Sequence, residues 1–101
     1  MIARLWHGAT RSDRAEAYLR YLHETGLPGY RTVPGNKGVQ VLMREEGTAT
    51  HFLVVSYWES MEAVARFAGE PVDRAQYYPR DREFLLELEP QVVHYQVAAT
   101  Q

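Results

Sequence analysis

The sequence contains no cysteine among its 101 residues. Disulfide bonds, thiolate nucleophiles, iron–sulfur clusters and cysteine-built zinc sites are therefore excluded. No apolar run is long enough to cross a bilayer, and Arg4 interrupts the apolar stretch at the amino terminus, unlike a signal peptide. We expect a soluble cytoplasmic protein that makes no membrane contact.

The sequence also lacks a large excess of charge of either sign. The chain has 11 basic and 13 acidic residues, a formal net charge of −2, and neither sign forms a long run. Binding to nucleic acid requires a basic patch that neutralises several phosphates. We therefore predict that nucleic acid is not a partner.

Sequence signatures of nucleotide, metal and hydrolase sites are missing as well. The segment 35–38, Gly-Asn-Lys-Gly, is too short for a phosphate-binding loop, and the four histidines show no helical pairing at metal-ligand spacing. Ser12 and Ser60 have the positions of helix caps rather than of nucleophiles. We predict no metal site and no cofactor.

Strand and helix patterns alternate along the chain. Apolar residues from Ala15 to Leu22 recur at helical spacing, and Gly26 with Pro28 is expected to end that helix. Ser60 is expected to cap a second helix that ends at Gly69. The predicted strands are 1–7, 39–44, 50–58 and 91–97, and a further helical piece follows Pro79 and carries Phe84, Leu85 and Leu88.

This order predicts one α+β domain over residues 1–101, with the ferredoxin-like βαββαβ fold and a four-stranded antiparallel sheet. The strand at 50–58 is apolar on both faces, whereas the helices of this fold cover one face only. We expect a second copy of the chain to cover the other face, which predicts a homodimer packed sheet to sheet.

Several short segments along most of the chain are typical of one family. The most specific is the junction Ser56-Tyr57-Trp58-Glu59-Ser60, followed by Phe67-Ala68-Gly69. The supporting segments are Ile2-Ala3-Arg4-Leu5-Trp6, Pro28-Gly29-Tyr30, Pro34-Gly35-Asn36-Lys37-Gly38, Ala75-Gln76-Tyr77-Tyr78-Pro79 and Val93-His94-Tyr95. Together they resemble the antibiotic biosynthesis monooxygenase superfamily, whose members form dimeric α+β barrels. The resemblance implies that fold and a homodimer, but the superfamily includes cofactor-free oxygenases of aromatic polyketides, haem-degrading enzymes and proteins that handle aldehydes or quinones.

Aromatic residues make up 12% of the chain, and many are expected near the sheet and its covering helices. A pocket lined by rings with a few titratable groups suits a flat, weakly acidic aromatic ligand. His94 is the candidate for proton handling because imidazole titrates near neutrality, and Arg4 and Tyr77 are candidates to orient the substrate anion. The candidate substrate-binding residues are Trp6, Trp58, Phe67 and Tyr78.

Each candidate also has a purely structural interpretation. His94 can be a hydrogen-bonding or interface residue, and Arg4 can pair with a carboxylate of the partner subunit. The two tryptophans can be core or interface anchors, since large rings dominate burial in a small domain. Tyr77 and Tyr78 can pack a helix onto the sheet.

The haem-degrading branch of the superfamily uses a first-strand asparagine, a tryptophan on the second helix and a histidine ligand about ten residues later. This sequence has Phe67 and Tyr77 near the last two positions and no asparagine in its first strand, which disfavours haem degradation, although a tyrosinate can ligate haem iron. The favoured function is a cofactor-independent monooxygenase of a small aromatic or quinone-type metabolite. The alternatives are a non-catalytic ligand-binding or stress-associated module and a haem-binding protein.

Overall fold

A computed structural model describes residues 1–101. Its elements are β1 (Ile2–Arg11), a 3-10 turn (Ser12–Arg14), α1 (Ala15–Glu24), α2 (Gly26–Arg31), β2 (Asn36–Glu46), β3 (Ala49–Trp58), α3 (Met61–Ala68), α4 (Asp81–Phe84) and β4 (Val93–Gln96). The four strands form one antiparallel sheet in the order β2-β3-β1-β4, which confirms the predicted α+β ferredoxin-like fold. None of the helices is both long and apolar enough to cross a membrane.

Alternation along the two central strands divides the sheet into a helix-covered face and an open face. On the covered face Trp6 lies opposite Val54 and packs with the buried Tyr18 and Phe52. The rings of Tyr18 and Phe52 meet edge to face, with centroids 5.1 Å apart. These contacts make the covered face the main hydrophobic core.

The open face is also largely apolar. Leu5 lies between Val55 on β3 and Val93 on β4, and Leu42 lies opposite Leu53. Leu42 is 48% exposed and Val93 53% exposed. The predicted two-sided apolar character of β3 is therefore confirmed, and one side of the sheet has no cover within this chain.

The helices differ from the sequence prediction at two places. Gly26 and Pro28 do not leave a loop after α1 but lie in the first turn of the separate helix α2. A proline is tolerated there because the first N–H groups of a helix have no intrahelical partner. The helical piece expected to reach Leu88 ends after one turn at Phe84, because Leu85 turns extended and forms a bridge with Thr10 of β1.

Helix α3 begins and ends as the sequence predicts. The hydroxyl of Ser60 accepts a hydrogen bond from the backbone N–H of Ala63 at 3.2 Å, and Gly69 adopts a positive φ of 73° after the last turn. Ala63 and Val64 pack on Trp58 in a second, smaller cluster. The cap thus sets where this helix starts on the sheet.

Replacing Ser60 with Ala should lower the free energy of unfolding by about 1 kcal/mol, because the N–H of Ala63 loses its acceptor. Urea denaturation would measure the change. The matched control Ser60→Asp keeps an acceptor at the cap and should retain most of the stability. Equal losses in both variants would show that the cap is not the stabilising feature.

Candidate functional site

A small cavity lies between the covered face of the sheet and the helices. Its volume is about 30 Å³, which is room for about one water molecule. Most of its wall is aromatic or aliphatic, and its outer side is formed by α2 and by the segment that precedes α4. The lining residues are Trp6, Leu22, Gly26, Leu27, Tyr30, Val54, Gln76 and Tyr78.

Trp6 forms the sheet side of the cavity. Its indole lies across Gly8, where a Cβ atom would approach Cη2 of Trp6 to 2.5 Å, so the ring can lie there only beside a glycine. Trp6 is 7% exposed, and its buried Nε1–H has no acceptor at hydrogen-bonding geometry, although it lies near the hydroxyl of Tyr77 and opposes the burial that raises the pKa of that phenol. Leaving a donor buried and unpaired costs about 1–3 kcal/mol, which proteins seldom tolerate without a reason.

Tyr77 packs edge-on against Trp6, with ring centroids 6.1 Å apart. Its hydroxyl donates to the backbone carbonyl oxygen of Glu89, which fixes the ring. Burial, with the charge of Glu89 in second place, raises the pKa of Tyr77 to about 12. Tyr77 is therefore a neutral phenol that supports the Trp6 indole from the side.

Arg4, two residues before Trp6 on the same face, is only 2% exposed. Its guanidinium donates to the carbonyl oxygens of Val72 (2.6 Å) and Arg74 (3.2 Å) and contacts Nε2 of His94 at 3.0 Å. None of these partners is an anion, so the positive charge is not neutralised by direct contact. Burial lowers the pKa of Arg4, but guanidinium stays charged in proteins.

His94 is neutral in this arrangement. A guanidinium can only donate, so Nε2 of His94 must accept the hydrogen bond and the ring proton lies on Nδ1. Burial, followed by the charge of Arg4, lowers the pKa of His94 and favours the same neutral form. Because Nε2 of His94 accepts from Arg4, the role of His94 in this structure is to hold the Arg4 guanidinium in place.

A second group of rings lies beside Arg4. Phe67 lies under the guanidinium at 5.6 Å, stacks on Tyr30 at 4.5 Å and packs against Trp58 at 5.3 Å. Trp58 is fully buried, and its indole N–H donates to the hydroxyl of Ser56 at 2.9 Å. Trp58 therefore belongs to the core and does not line the cavity.

The structure brings the predicted residues into two neighbouring groups. Arg4, His94 and Phe67 are in mutual contact through the guanidinium, whereas Trp6 and Tyr78 line the cavity. Tyr30 connects the groups, because it stacks on Phe67 and also lines the cavity.

Sequence reasoning missed Tyr30 and Gln76 as cavity residues. Both lie in segments that carried the family resemblance, but Gly26 and Pro28 were expected to end the helix before Tyr30, which instead lies on α2. The side-chain amide of Gln76 donates to the carbonyl oxygens of Phe67 and Ala68, which ties the wall of the cavity to the end of α3.

An antiparallel ferredoxin-like sheet, covered on one face by helices over an aromatic cleft, defines a class of small α+β proteins. Within this class, the family model for antibiotic biosynthesis monooxygenase matches residues 1–75. The chain belongs to this family. No curated protein sequence matches the chain.

Solved structures share the fold at low sequence identity. A candidate antibiotic biosynthesis monooxygenase of Bacillus cereus superposes with a TM-score of 0.71 at 15% identity, covering 100% of this chain and 94% of its own. The haem-degrader MhuD of Mycobacterium tuberculosis, solved with two haems in its active site, gives a TM-score of 0.64 at 19% identity, covering 100% and 99%. At these identities the comparison shows the fold alone.

Acidification should destabilise the protein through His94. Because the pKa of the folded group is lowered from 6.5, its contribution is present above that pH and is lost as the pH falls below it. His94→Gln keeps an acceptor for Arg4 but cannot titrate, so its unfolding free energy should fall less steeply on acidification, by at most one proton in slope. Urea denaturation between pH 7.5 and 5 (a range of about two to three units around the usual imidazole titration) would measure this.

Exposed His23 on α1 supplies the control, since His23→Gln leaves the Arg4 contact intact. If His94→Gln and the unchanged chain lose stability with the same slope, the neutral state assigned to His94 is wrong.

Proposed function

We propose that the chain is a cofactor-independent monooxygenase that binds a small, flat aromatic or quinone-type metabolite between the sheet and the helices. Membership of the family supports a monooxygenase or small-ligand-binding function. The observation that carries the finer proposal is the buried Nε1–H of Trp6, a donor without a partner in an aromatic wall. In the proposal this N–H donates to an oxygen of the bound substrate.

The charge near the cleft favours a weakly acidic ligand. Arg4 holds a buried positive charge whose direct contacts are carbonyl oxygens and a neutral imidazole. Such a charge in a water-poor site stabilises an anion and thereby favours ionisation of a phenol or enol. Tyr30 and Tyr78 resist ionisation themselves, because burial raises the pKa of Tyr30 to about 12 and also raises that of Tyr78.

The proposed reaction needs no external reductant. The substrate anion gives electrons to dioxygen, a ring methylene becomes a carbonyl, and the second oxygen atom leaves as water. The substrate loses two hydrogens and four electrons, which balances the reduction of dioxygen. The protein's part is to hold the anion on the N–H of Trp6, with the substrate ring between Leu27 and Tyr78 and the charge of Arg4 acting from beyond Tyr30.

Entry of a ligand requires the cleft to widen, because 30 Å³ is smaller than an aromatic ring. The outer wall consists of Leu27 and Tyr30 on the six-residue helix α2 and of Tyr78 in the segment between α3 and α4. Short elements of this kind open at lower free energy than the sheet. We propose that these side chains move outward when the substrate binds.

A non-catalytic binding module is the second candidate function. The same cavity, the same unpaired N–H and the same buried charge would bind a flat phenol without converting it. A ligand recovered unchanged after incubation in air would favour this alternative, whereas consumption of dioxygen in proportion to substrate favours the enzyme.

The donor set of the cavity does not fit haem. No imidazole lines it, and its two phenols, Tyr30 and Tyr78, have raised pKa values that oppose the tyrosinate needed to bind iron. Tyr77 has the same difficulty and already donates to Glu89. We therefore do not propose haem binding, although the structural neighbour MhuD binds haem.

Trp6→Phe should weaken binding of 1-naphthol about 10- to 100-fold. This is the loss in affinity expected when a hydrogen bond to a charged group, which contributes about 1.5–3 kcal/mol, is removed. Binding of naphthalene, which has no oxygen, should change little. Calorimetric or fluorescence titration would measure both affinities. Oxygen uptake with anthrone, which has a ring methylene, should fall in parallel in an oxygen electrode.

Trp58→Phe is the matched control, because its indole N–H is already bonded to Ser56 outside the cavity. This variant should lose stability and keep its preference for 1-naphthol over naphthalene. The proposal fails if Trp6→Phe leaves that preference unchanged or if Trp58→Phe abolishes it.

We also propose that two chains pair through their open sheet faces. Leu42, Val93 and Tyr95 are exposed around a centre formed by Leu5 and Val55, which is the pattern of an apolar patch that requires cover. A second copy offers the same patch about a two-fold axis. Pairing would bury the exposed strand side chains without rearranging the helices.

Leu42→Glu should convert the dimer into a monomer, since it places a charge in the apolar contact. Met61→Glu, on α3 at the covered side, should leave the dimer intact. Sedimentation velocity at micromolar concentration would distinguish the two states. A wild-type chain that sediments as a monomer would disprove the pairing.

A further inference from the structure

Four titratable side chains form a continuous hydrogen-bonded chain at one end of the open face. Nδ1 of His7 contacts the carboxylate of Glu89 at 2.5 Å, and Nε2 of His7 contacts Nδ1 of His51 at 2.9 Å. Nε2 of His51 contacts the carboxylate of Glu46 at 3.1 Å. His7 and His51, here called the histidine pair, therefore lie between two carboxylates.

The fold brings these groups together from four parts of the chain. His7 on β1 lies opposite Leu53 and His51 on β3 lies opposite Ala9, so the two rings are diagonal neighbours and stack with centroids 5.1 Å apart. Glu46 ends β2, and Glu89 lies in the segment before β4. No group of three or more such side chains is placed to hold a metal ion.

Hydrogen-bond direction decides how many protons the pair holds. An ionised carboxylate only accepts, so Nδ1 of His7 and Nε2 of His51 must each carry a proton. The contact between the two rings needs one further proton, on Nε2 of His7 or on Nδ1 of His51. Three protons on four ring nitrogens correspond to one neutral imidazole and one imidazolium.

We propose that His7 and His51 share a single extra proton across this hydrogen bond, and that the pair is a pH-sensitive element of the open face. With one extra proton every ring nitrogen has a suitable partner. A second extra proton places two N–H groups against each other and adds a charge. Loss of the shared proton leaves too few donors, so one of the three contacts is broken.

The net charge of the groups around the histidine pair is balanced by one positive charge on the pair. Glu89 faces His7, and Glu46 faces His51 while it also accepts from Arg44 on β2 at 3.2 Å. The two carboxylates, Arg44 and a singly charged pair sum to zero. The helices pack on the opposite face of the sheet.

The free energy of unfolding should depend on pH in a way that a single histidine cannot produce. On acidification the unfolded chain binds two extra protons and the folded pair holds one, so stability falls with pH. At alkaline pH the unfolded chain holds none while the folded pair still holds one, so stability falls as the pH rises. The contribution of the pair is therefore greatest at an intermediate pH and falls on both sides of it.

Protonation of the histidine pair should also affect the association of two chains, because the pair lies on the open face. This step rests on the proposed pairing of open faces. Leu42 and Leu53, which belong to the proposed contact, also border the histidine pair. A second extra proton gives each of the two faces an additional positive charge, which opposes their contact. Association should therefore be weaker at pH 5.5 than at pH 7.5 (values on either side of the usual imidazole titration at about 6.5).

Imidazole nitrogen NMR of the ¹⁵N-labelled wild-type chain at neutral pH tests the proton count directly. We expect protonated signals for Nδ1 of His7 and Nε2 of His51, and intermediate shifts for the two nitrogens that face each other. A total of two protonated nitrogens, which means two neutral rings, would overturn the proposal. A total of four protonated nitrogens, which means two imidazolium rings, would also overturn it. This result does not depend on dimer formation.

Denaturation of the double variant His7→Gln/His51→Gln supplies the second readout. Its unfolding free energy, subtracted from that of the wild type, should give a curve with a maximum at intermediate pH. The control His23→Gln, which leaves every contact of the pair in place, should not reproduce this maximum. A difference curve for the double variant that changes in one direction only would contradict a shared proton.

Sedimentation of the same proteins at both pH values tests association separately. The wild type should dissociate more readily at the lower pH, and the double variant should lose this dependence. A wild type that is monomeric at both values would disprove the proposed dimer, and the NMR proton count would still decide whether the proton is shared. Equal pH dependence in wild type and double variant would show that the pair does not control association.

Discussion

The buried guanidinium of Arg4 is the interaction on which the covered side of the molecule depends. It binds two backbone carbonyl oxygens in the segment between α3 and α4, a segment with little regular structure of its own. It also holds His94 of β4 and lies over Phe67 of α3. The guanidinium thus supplies donors to two carbonyl groups of this segment, and carbonyl groups removed from water require such donors.

Opposite faces of the sheet place histidine in opposite electrostatic surroundings. His94 meets a cation, so its Nε2 accepts and the ring is neutral. His7 and His51 meet carboxylates, so their outer nitrogens donate and the pair requires an extra proton. One residue type thus has two protonation states, and the partner side chain, not exposure alone, determines which one forms.

The two tryptophans show why site residues were harder to predict than the fold. Trp6 and Trp58 both lie on central strands, face the helices and are buried. Trp58 finds an acceptor in Ser56, two residues earlier on the same face, whereas the corresponding position before Trp6 is Arg4, which has no acceptor to offer. Strand alternation in the sequence could have revealed this difference. Only the tertiary structure, however, shows whether a distant group supplies the missing acceptor.

Local patterns in the sequence were sufficient for the order of strands and helices, for the two apolar faces of β3 and for the ends of α3 at Ser60 and Gly69. These features depend on residues close together in the chain, through alternation, helical spacing and capping. The partners of Arg4, His7 and His51 were decided only by the tertiary structure, because they lie 44 to 90 positions away or, for Glu46, on a neighbouring strand of the sheet. Sequence shows that a charged or titratable group exists, whereas its protonation and its role follow from which groups the fold places within hydrogen-bonding distance.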